Sequence, residues 1–209
     1  MNTQKLLTLI AVAFITVSSF GQIAGSAHDF STENWNNTGQ ICKVCHTPHN
    51  AVTGLQAPLW NHQVTTQTFK MYSASVSPSF NATTTQPDGA SKLCLSCHDG
   101  VTKVDNFNGR TNGTQTLSGS ENLGTDLSND HPISFTYDTA LATADGGLFD
   151  PSTTASGLAG GGMITADLLL ANKMQCSTCH DVHNGSGIKS SLLVKSNAAS
   201  KLCLTCHNK

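Results

Sequence analysis

The feature that most constrains this chain is a short motif, C-x-x-C-H, which occurs four times. Two cysteines at this spacing attach one porphyrin covalently, and the histidine that follows becomes an axial ligand of its iron. The four copies use all eight cysteines: Cys42, Cys45 and His46; Cys94, Cys97 and His98; Cys176, Cys179 and His180; Cys203, Cys206 and His207. The sequence therefore predicts four covalently attached haem c groups.

Paired cysteines also occur in zinc ribbons and in disulfide frameworks, so the trailing histidines decide between these classes of site. Histidine makes up only 9 of the 209 residues. At about 4% per pair, four C-x-x-C pairs are all followed by histidine by chance only a few times in a million. Haem attachment is therefore preferred over both alternatives.

An internal duplication organises the rest of the chain. Residues 90–98 and 199–207 differ only by Ser for Thr, and the first and third motifs share C-x-x-C-H-x-x-H-N. The motifs thus follow the order A, B, A, B. This order predicts a tetrahaem domain at 26–209, built as two dihaem modules at about 26–125 and about 126–209.

Five histidines lie outside the four motifs: His28, His49, His62, His131 and His183. The duplication relates His28 to His131, since each begins a His-x-apolar-Ser sequence, and it relates His49 to His183. Four irons need four distal ligands, so we predict bis-histidine ligation with these four residues as the distal ligands. His62 has no counterpart, and we expect it to pack beside Trp60 or near a haem edge.

The spacing also limits which haem each distal histidine serves. His49 follows His46 by three residues and cannot reach the far face of the same haem, and His183 is related to His180 in the same way. The expected assignments are His49 to the His98 haem, His183 to the His207 haem, His131 to the His180 haem and His28 to a His46 haem. His28 lies on an N-terminal arm, so it is the best candidate to reach a neighbouring subunit.

With four haems, about 45 residues are available per haem, too few to enclose each porphyrin in its own protein core. We expect mostly irregular coil, with short helices and few short strands, wrapped around a stack of four haems. The patterns predict a helix at 90–97, a strand at 133–137, a helix at 163–174 and irregular chain at 47–62.

Residues 1–25 are typical of a secretory signal peptide, with Lys5 before a short apolar run and small residues after it, and cleavage is expected between 21 and 27. A dozen apolar residues is too short to span a bilayer, and no later segment is predicted to do so. The product is expected to be exported, to the cell exterior or the periplasm. A formal charge of -2 and the lack of a basic patch argue against nucleic-acid binding.

Several segments resemble c-type cytochromes with doubled C-x-x-C-H motifs, and the OmcE-type tetrahaem cytochromes in particular. They are GSAHDF at 25–30, CHTPHN at 45–50, APLWN at 57–61, LCLSCHDG at 93–100 and NDHP at 129–132, together with the last two haem motifs. This resemblance implies bis-histidine haems in a continuous stack and homo-oligomerisation into an extracellular, electron-conducting filament. It also implies that a neighbouring subunit supplies one distal histidine. After the third motif, Val182 stands at the position where the first A motif has a proline.

The sequence is compatible with three functions: an electron conduit assembled from copies of the chain, a monomeric periplasmic electron shuttle, and a haem reductase. A catalytic haem needs an open iron position, whereas this chain has enough histidines to close every iron. We therefore expect no enzyme activity. The expected partners are other copies of the chain and redox proteins or extracellular electron acceptors.

Overall fold

Regular secondary structure is sparse in the computed structural model, which describes residues 22–189 and 191–208. The α-helices of these residues are α1 (Gly89–His98), α2 (Thr139–Asp145), α3 (Ile164–Asp167) and α4 (Cys176–Cys179). Single 3-10 turns lie at Phe30–Thr32, Cys42–Val44, Gly119–Glu121, Ala198–Ser200 and Cys203–Thr205. The predicted irregular fold with few short elements is confirmed, as are the helix at 90–97 and the irregular chain at 47–62.

Two strands of two residues each form the one sheet of the described residues. Strand β1 (Phe135–Thr136) pairs antiparallel with β2 (Lys173–Met174), and Phe135 lies opposite Met174. The strand predicted at 133–137 is shorter than expected because Ser134 has a φ of 61°, which interrupts the extended chain before Phe135.

The helix predicted at 163–174 is wrong over most of its length, since only Ile164–Asp167 is helical. Ala171 and Asn172 have φ values of 53° and 58°, which reverse the chain. This reversal lets Met174 pair with β1 and become buried beside Phe135. Pairing and burial in the tertiary structure outweigh the local preference for helix.

Two apolar clusters form the protein core within the described residues. The larger contains the buried residues Phe135, Tyr137, Ala142, Ile164, Leu168, Leu169, Met174 and Cys206. The smaller contains Phe69, Leu95 and Leu127. Because Cys206 belongs to the fourth motif and Leu95 to the second, both clusters are built against haem-attachment segments.

The N-terminal ends of α1 and α4 pack together, which brings the second motif against the third. Gln175 Oε1 accepts a 3.0 Å hydrogen bond from Ser91 N, and Ser91 Oγ accepts one of 3.0 Å from Cys176 N. Gln175 Nε2 also donates to Asp88, which forms an ion pair with Lys173. This contact crosses the expected boundary near residue 125, and the division into two modules stays a prediction.

The segment from Gln22 to Ala27 packs against the loop that follows the third motif. Asn184 Nδ2 donates to Gln22 O at 3.0 Å, and Ala27 N donates to Lys189 O at 3.2 Å. Lys189 Nζ donates to Ala24 O. The N-terminal arm is therefore held by its own chain, next to His28.

Residues 1–21 of the predicted signal peptide lie outside the described residues. Within the described part of the chain, no helix has the length and apolar character needed to cross a membrane.

Candidate haem-binding sites

Each C-x-x-C-H motif forms a single tight turn. The histidine N–H groups of the first, third and fourth motifs each donate to the carbonyl of the first cysteine, at 2.8 Å for His46 to Cys42, 3.0 Å for His180 to Cys176 and 3.0 Å for His207 to Cys203. The second motif lies in the last turns of α1. One turn thus carries two thiols and an imidazole, the three groups that haem attachment requires.

The four motifs lie next to one another in chain order. Burial raises the pKa of the Cys97 thiol, and Cys45 lies close enough to add to that shift. Cys94 forms a hydrogen bond with Cys176 that raises its own pKa and lowers that of Cys176. Cys179 likewise lies beside Cys206 of the fourth motif. The two thiols at the ends of this row, Cys42 and Cys203, are exposed. The attachment sites therefore form one continuous row.

Burial controls the acidity of the free thiols in the middle of this row. Desolvation, with smaller contributions from neighbouring cysteines, raises the pKa of Cys45 and of Cys179 to about 11. The hydrogen bond from Cys94 lowers the pKa of Cys176 to about 7. Apolar surroundings of this kind suit a thioether, which carries no charge.

Backbone carbonyls orient the proximal imidazoles of the first, second and third motifs. The Nδ1–H groups donate to Pro58 O from His46 at 2.8 Å, to Glu121 O from His98 at 2.7 Å and to Ser191 O from His180 at 2.8 Å. An imidazole that donates from Nδ1 leaves the lone pair of Nε2 for iron. No sequence pattern identifies these carbonyls, because a carbonyl acceptor is present at every residue.

Three pairs of histidine rings have the separation of two ligands on one iron. Imidazole–metal bonds are about 2.0 Å long and the ring centroid lies about 1.2 Å behind the nitrogen, so two such rings are about 6.4 Å apart. The centroids are 6.2 Å apart for His28 and His98, 6.2 Å for His46 and His183, and 6.3 Å for His131 and His207. Each pair joins a predicted proximal ligand to a predicted distal one, and the residues fit haem.

The pair of His131 and His207 lines an open cavity of about 240 Å³. Cys203 and Cys206 line the same cavity, with a largely apolar wall that includes Phe135, Phe80, Tyr137, Leu148 and Leu168. An apolar cavity that contains two thiols and two facing imidazoles has the donor set of a c-type haem site.

These pairs differ from the assignments expected from the sequence. His28 lies against His98 instead of a His46, His183 against His46 instead of His207, and His131 against His207 instead of His180. The duplication showed which positions are equivalent, but the path of the chain decides which ring faces which. The arm contacts with Lys189 and Asn184 hold His28 within its own chain, on the second motif.

Of the eight predicted ligands, His49 and His180 belong to none of these three pairs. Both side chains are exposed, and no ring contact joins them among the described residues. His180 still donates from Nδ1 to Ser191 O, as the other oriented proximal imidazoles do to their carbonyls.

His28 is kept neutral by its surroundings. Burial, together with the nearby imidazoles of His98, His180 and His183, lowers its pKa to about 4. A neutral imidazole is the form that binds a metal. His98 belongs to the second motif and His180 to the third. Because both act on His28, these two motifs lie close together.

His62 packs beside Trp60, as predicted, with their rings at 68° and 6.5 Å apart. Its side chain is buried and lies next to Cys97. Ser91 and Gln175 could not be identified from the sequence, although their hydrogen bonds join two haem motifs, because nothing in the local sequence distinguishes Ser91 from its repeat equivalent, Ser200.

One family model, described as the doubled CXXCH motif, matches residues 170–209, which contain the third and fourth motifs. This match supports a haem-binding, multihaem c-type cytochrome. Proteins of this class transfer electrons and are usually exported. No curated protein matches the chain. The number of haems still rests on the four motifs of the sequence.

Proposed function

We propose that this chain is an electron-transfer cytochrome with four bis-histidine haems, and that its copies join into an extracellular, electron-conducting filament. The observation that carries the proposal is the continuous row of attachment thiols, from Cys42 through Cys94 and Cys176 to Cys203. Bound haem supplies reversible one-electron chemistry. The chain itself would hold the four groups in sequence, with both ends of the row exposed.

The proposal includes no catalytic haem. Three facing pairs of imidazoles account for six of the eight histidine ligands, and they leave no place for a substrate at those sites. Purified filaments should show only six-coordinate, low-spin haem and should bind carbon monoxide poorly. Rapid carbon monoxide binding by intact filaments would instead favour a haem reductase.

For the joint between copies, we propose that His49 of one subunit faces His180 of the next. These are the two predicted ligands left without a ring partner in the described chain, one distal and one proximal. Both are exposed, and His180 is already oriented by Ser191 O. Ligation across the joint would close the fourth iron and couple assembly to haem coordination.

Two matched variants test this joint. His49→Ala and His28→Ala each remove one predicted distal ligand, but only His49 is assigned to the joint. With the proposed joint, His49→Ala yields soluble monomers with one high-spin haem, whereas His28→Ala still forms filaments. Electron microscopy of extracellular material and the high-spin fraction by electron paramagnetic resonance measure both outcomes.

Normal filaments from His49→Ala would show that His49 is not the ligand at the joint. If the wild-type chain is found only as a periplasmic monomer with four closed irons, the monomeric electron shuttle replaces the filament.

A further inference from the structure

His62 is a fully buried histidine that the proposed haem ligation does not use. Its side chain is 1% exposed, and its two ring nitrogens face two different backbone carbonyls. Nδ1 lies 2.8 Å from Gln63 O, and Nε2 lies 3.2 Å from Val104 O. Both contacts have hydrogen-bond length.

These two contacts favour a protonated ring. A neutral imidazole carries one N–H, whereas the imidazolium carries two, and a carbonyl oxygen can only accept. In the neutral form, one of the two contacts would bring a nitrogen lone pair against the lone pairs of an oxygen. The placement of the two carbonyls therefore fits the imidazolium better than the neutral ring.

The second motif lies directly beside this pocket. Cys97 Sγ is 3.6 Å from Nε2 and 3.9 Å from Nδ1 of His62. Within the proposed function, this sulfur attaches haem to the second motif. A charge on His62 would thus lie next to one particular electron-transfer site.

Opposing influences act on the protonation of His62. The titratable group that faces it in the haem-bound protein is the buried carboxylate of Asp99, because the Cys97 sulfur is then a thioether and does not titrate; Lys103 contributes its backbone carbonyl. Burial is the largest influence and holds the pKa of His62 below its ordinary value, while the carbonyl contacts and Asp99 partly oppose it, so the ring is neutral near pH 7 until a nearby negative charge is added. Asp99 itself is held by hydrogen bonds from Thr65 and Thr102.

We propose that His62 is a proton-binding site coupled to electron transfer at the second motif. The site takes up one electron from an adjacent haem site or an external one-electron donor, and His62 takes up one proton from water. The net charge of this region is then unchanged. The added electron brings negative charge beside the ring, inside a poorly solvated pocket, and this favours the imidazolium.

This inference rests on the proposed function of the second motif, and it predicts a pH-dependent reduction potential. Between the His62 pKa values of the oxidised and reduced protein, the reduction equilibrium of one haem changes up to tenfold per pH unit, or about 59 mV. Its potential falls as the pH rises, because reduction then requires a proton from a more dilute source. Spectroelectrochemical titration of the purified protein at a series of pH values measures this slope.

His62→Gln is the test variant, since glutamine keeps an amide donor but does not titrate. It should abolish the pH dependence of one haem and leave the others unchanged. Trp60→Phe is the control, because it alters the adjacent ring without removing the titratable group, and its slope should match that of the wild type. An unchanged slope in a folded His62→Gln protein would overturn the inference.

If His62→Gln does not fold, the wild-type protein still decides the question. Nuclear magnetic resonance of ¹⁵N-histidine should show one non-ligand imidazole gaining a proton on reduction, within the pH range of the slope. An imidazole that keeps the same charge in both redox states would refute the coupling. Mass spectrometry separates the two proposals: no haem on Cys94 and Cys97 contradicts both, whereas haem there without coupling contradicts only this one.

Discussion

The imidazole of His28 lies 6.2 Å, centroid to centroid, from the imidazole of His98 in the same chain. This relationship connects the N-terminal arm to the second haem motif. The arm is held in place by Asn184 and Lys189, which follow the third motif. One short segment therefore links two of the four attachment sites before any second copy is involved.

The first prediction concerns the number of open irons in dissociated protein. Wild-type monomers should contain one high-spin haem, at His180, because His28 closes the His98 site within the chain. His28→Ala monomers should contain two. Counting high-spin haems per chain by electron paramagnetic resonance checks both numbers. One open iron in each protein would show that His28 is not a ligand within its own chain.

The second prediction assigns His131 to the fourth motif. His131→Ala should open one iron, and this signal should disappear when Cys203 and Cys206 are also replaced by serine. It should persist when Cys176 and Cys179 are replaced instead. The opposite pattern would support the pairing of His131 with His180 that the duplication suggested.

The third prediction uses the angle between facing rings. The ring planes of His131 and His207 are 78° apart, whereas those of His46 and His183 are only 17° apart. Parallel ligand planes split the iron d orbitals more than perpendicular ones do. The low-spin signal lost in His131→Ala should therefore be more anisotropic than the signal lost in His183→Ala. Equal anisotropy would contradict the ring geometry.

The fourth prediction concerns the contact between α1 and α4. Ser91→Ala removes the acceptor of Cys176 N–H in a buried site, which should lower the free energy of unfolding by about 1–3 kcal/mol. Ser200→Ala is the matched control, since Ser200 is its repeat equivalent and is exposed; it should change stability by no more than about 0.5 kcal/mol. Denaturant titration measures both free energies of unfolding. Equal losses in the two variants would show that the hydrogen bond to Ser91 makes no specific contribution to stability.

The fifth prediction concerns processing of the N-terminus. Asn184 is fully buried and donates to Gln22 O, and the arm makes two further contacts through Ala24 and Ala27. Cleavage after Gly25 or Ala27 would remove the Gln22 contact. We therefore expect the mature chain to begin at Gln22, within the predicted range. Intact mass and N-terminal sequencing of the exported protein check this, and a chain beginning at Ser26 or His28 would contradict it.

The haem-attachment residues could be predicted from sequence because C-x-x-C-H is a local requirement. Both thiols and the histidine must reach one porphyrin, so they must lie on one turn of the chain. This requirement fixes their spacing in the sequence. The histidines outside the motifs could be predicted as a set because the number of irons limits the number of ligands. These inferences need no knowledge of how the chain folds.

The pairing of histidines could not be predicted in this way. His28 and His131 are equivalent in the repeat, yet His28 faces His98, and His131 faces His207. Each ring reaches its partner through the path of the whole chain, including the contacts of the arm. A distance between segments far apart in sequence leaves no local signal.

The repeated segments 90–98 and 199–207 separate the two kinds of information most clearly. Their nearly identical sequences determined that both carry two thiols and a histidine for haem. Only the tertiary structure decided their backbones: the first is the helix Gly89–His98, whereas the second has left-handed φ values at Ala199 and Ser200. Ser91 is buried against Gln175 and Cys176, which stabilises the start of the helix, while Ser200 is exposed and has no such neighbours. The motif determines the chemistry because its atoms are adjacent in the chain, and the fold decides the conformation because the stabilising partners of Ser91 lie more than eighty residues away.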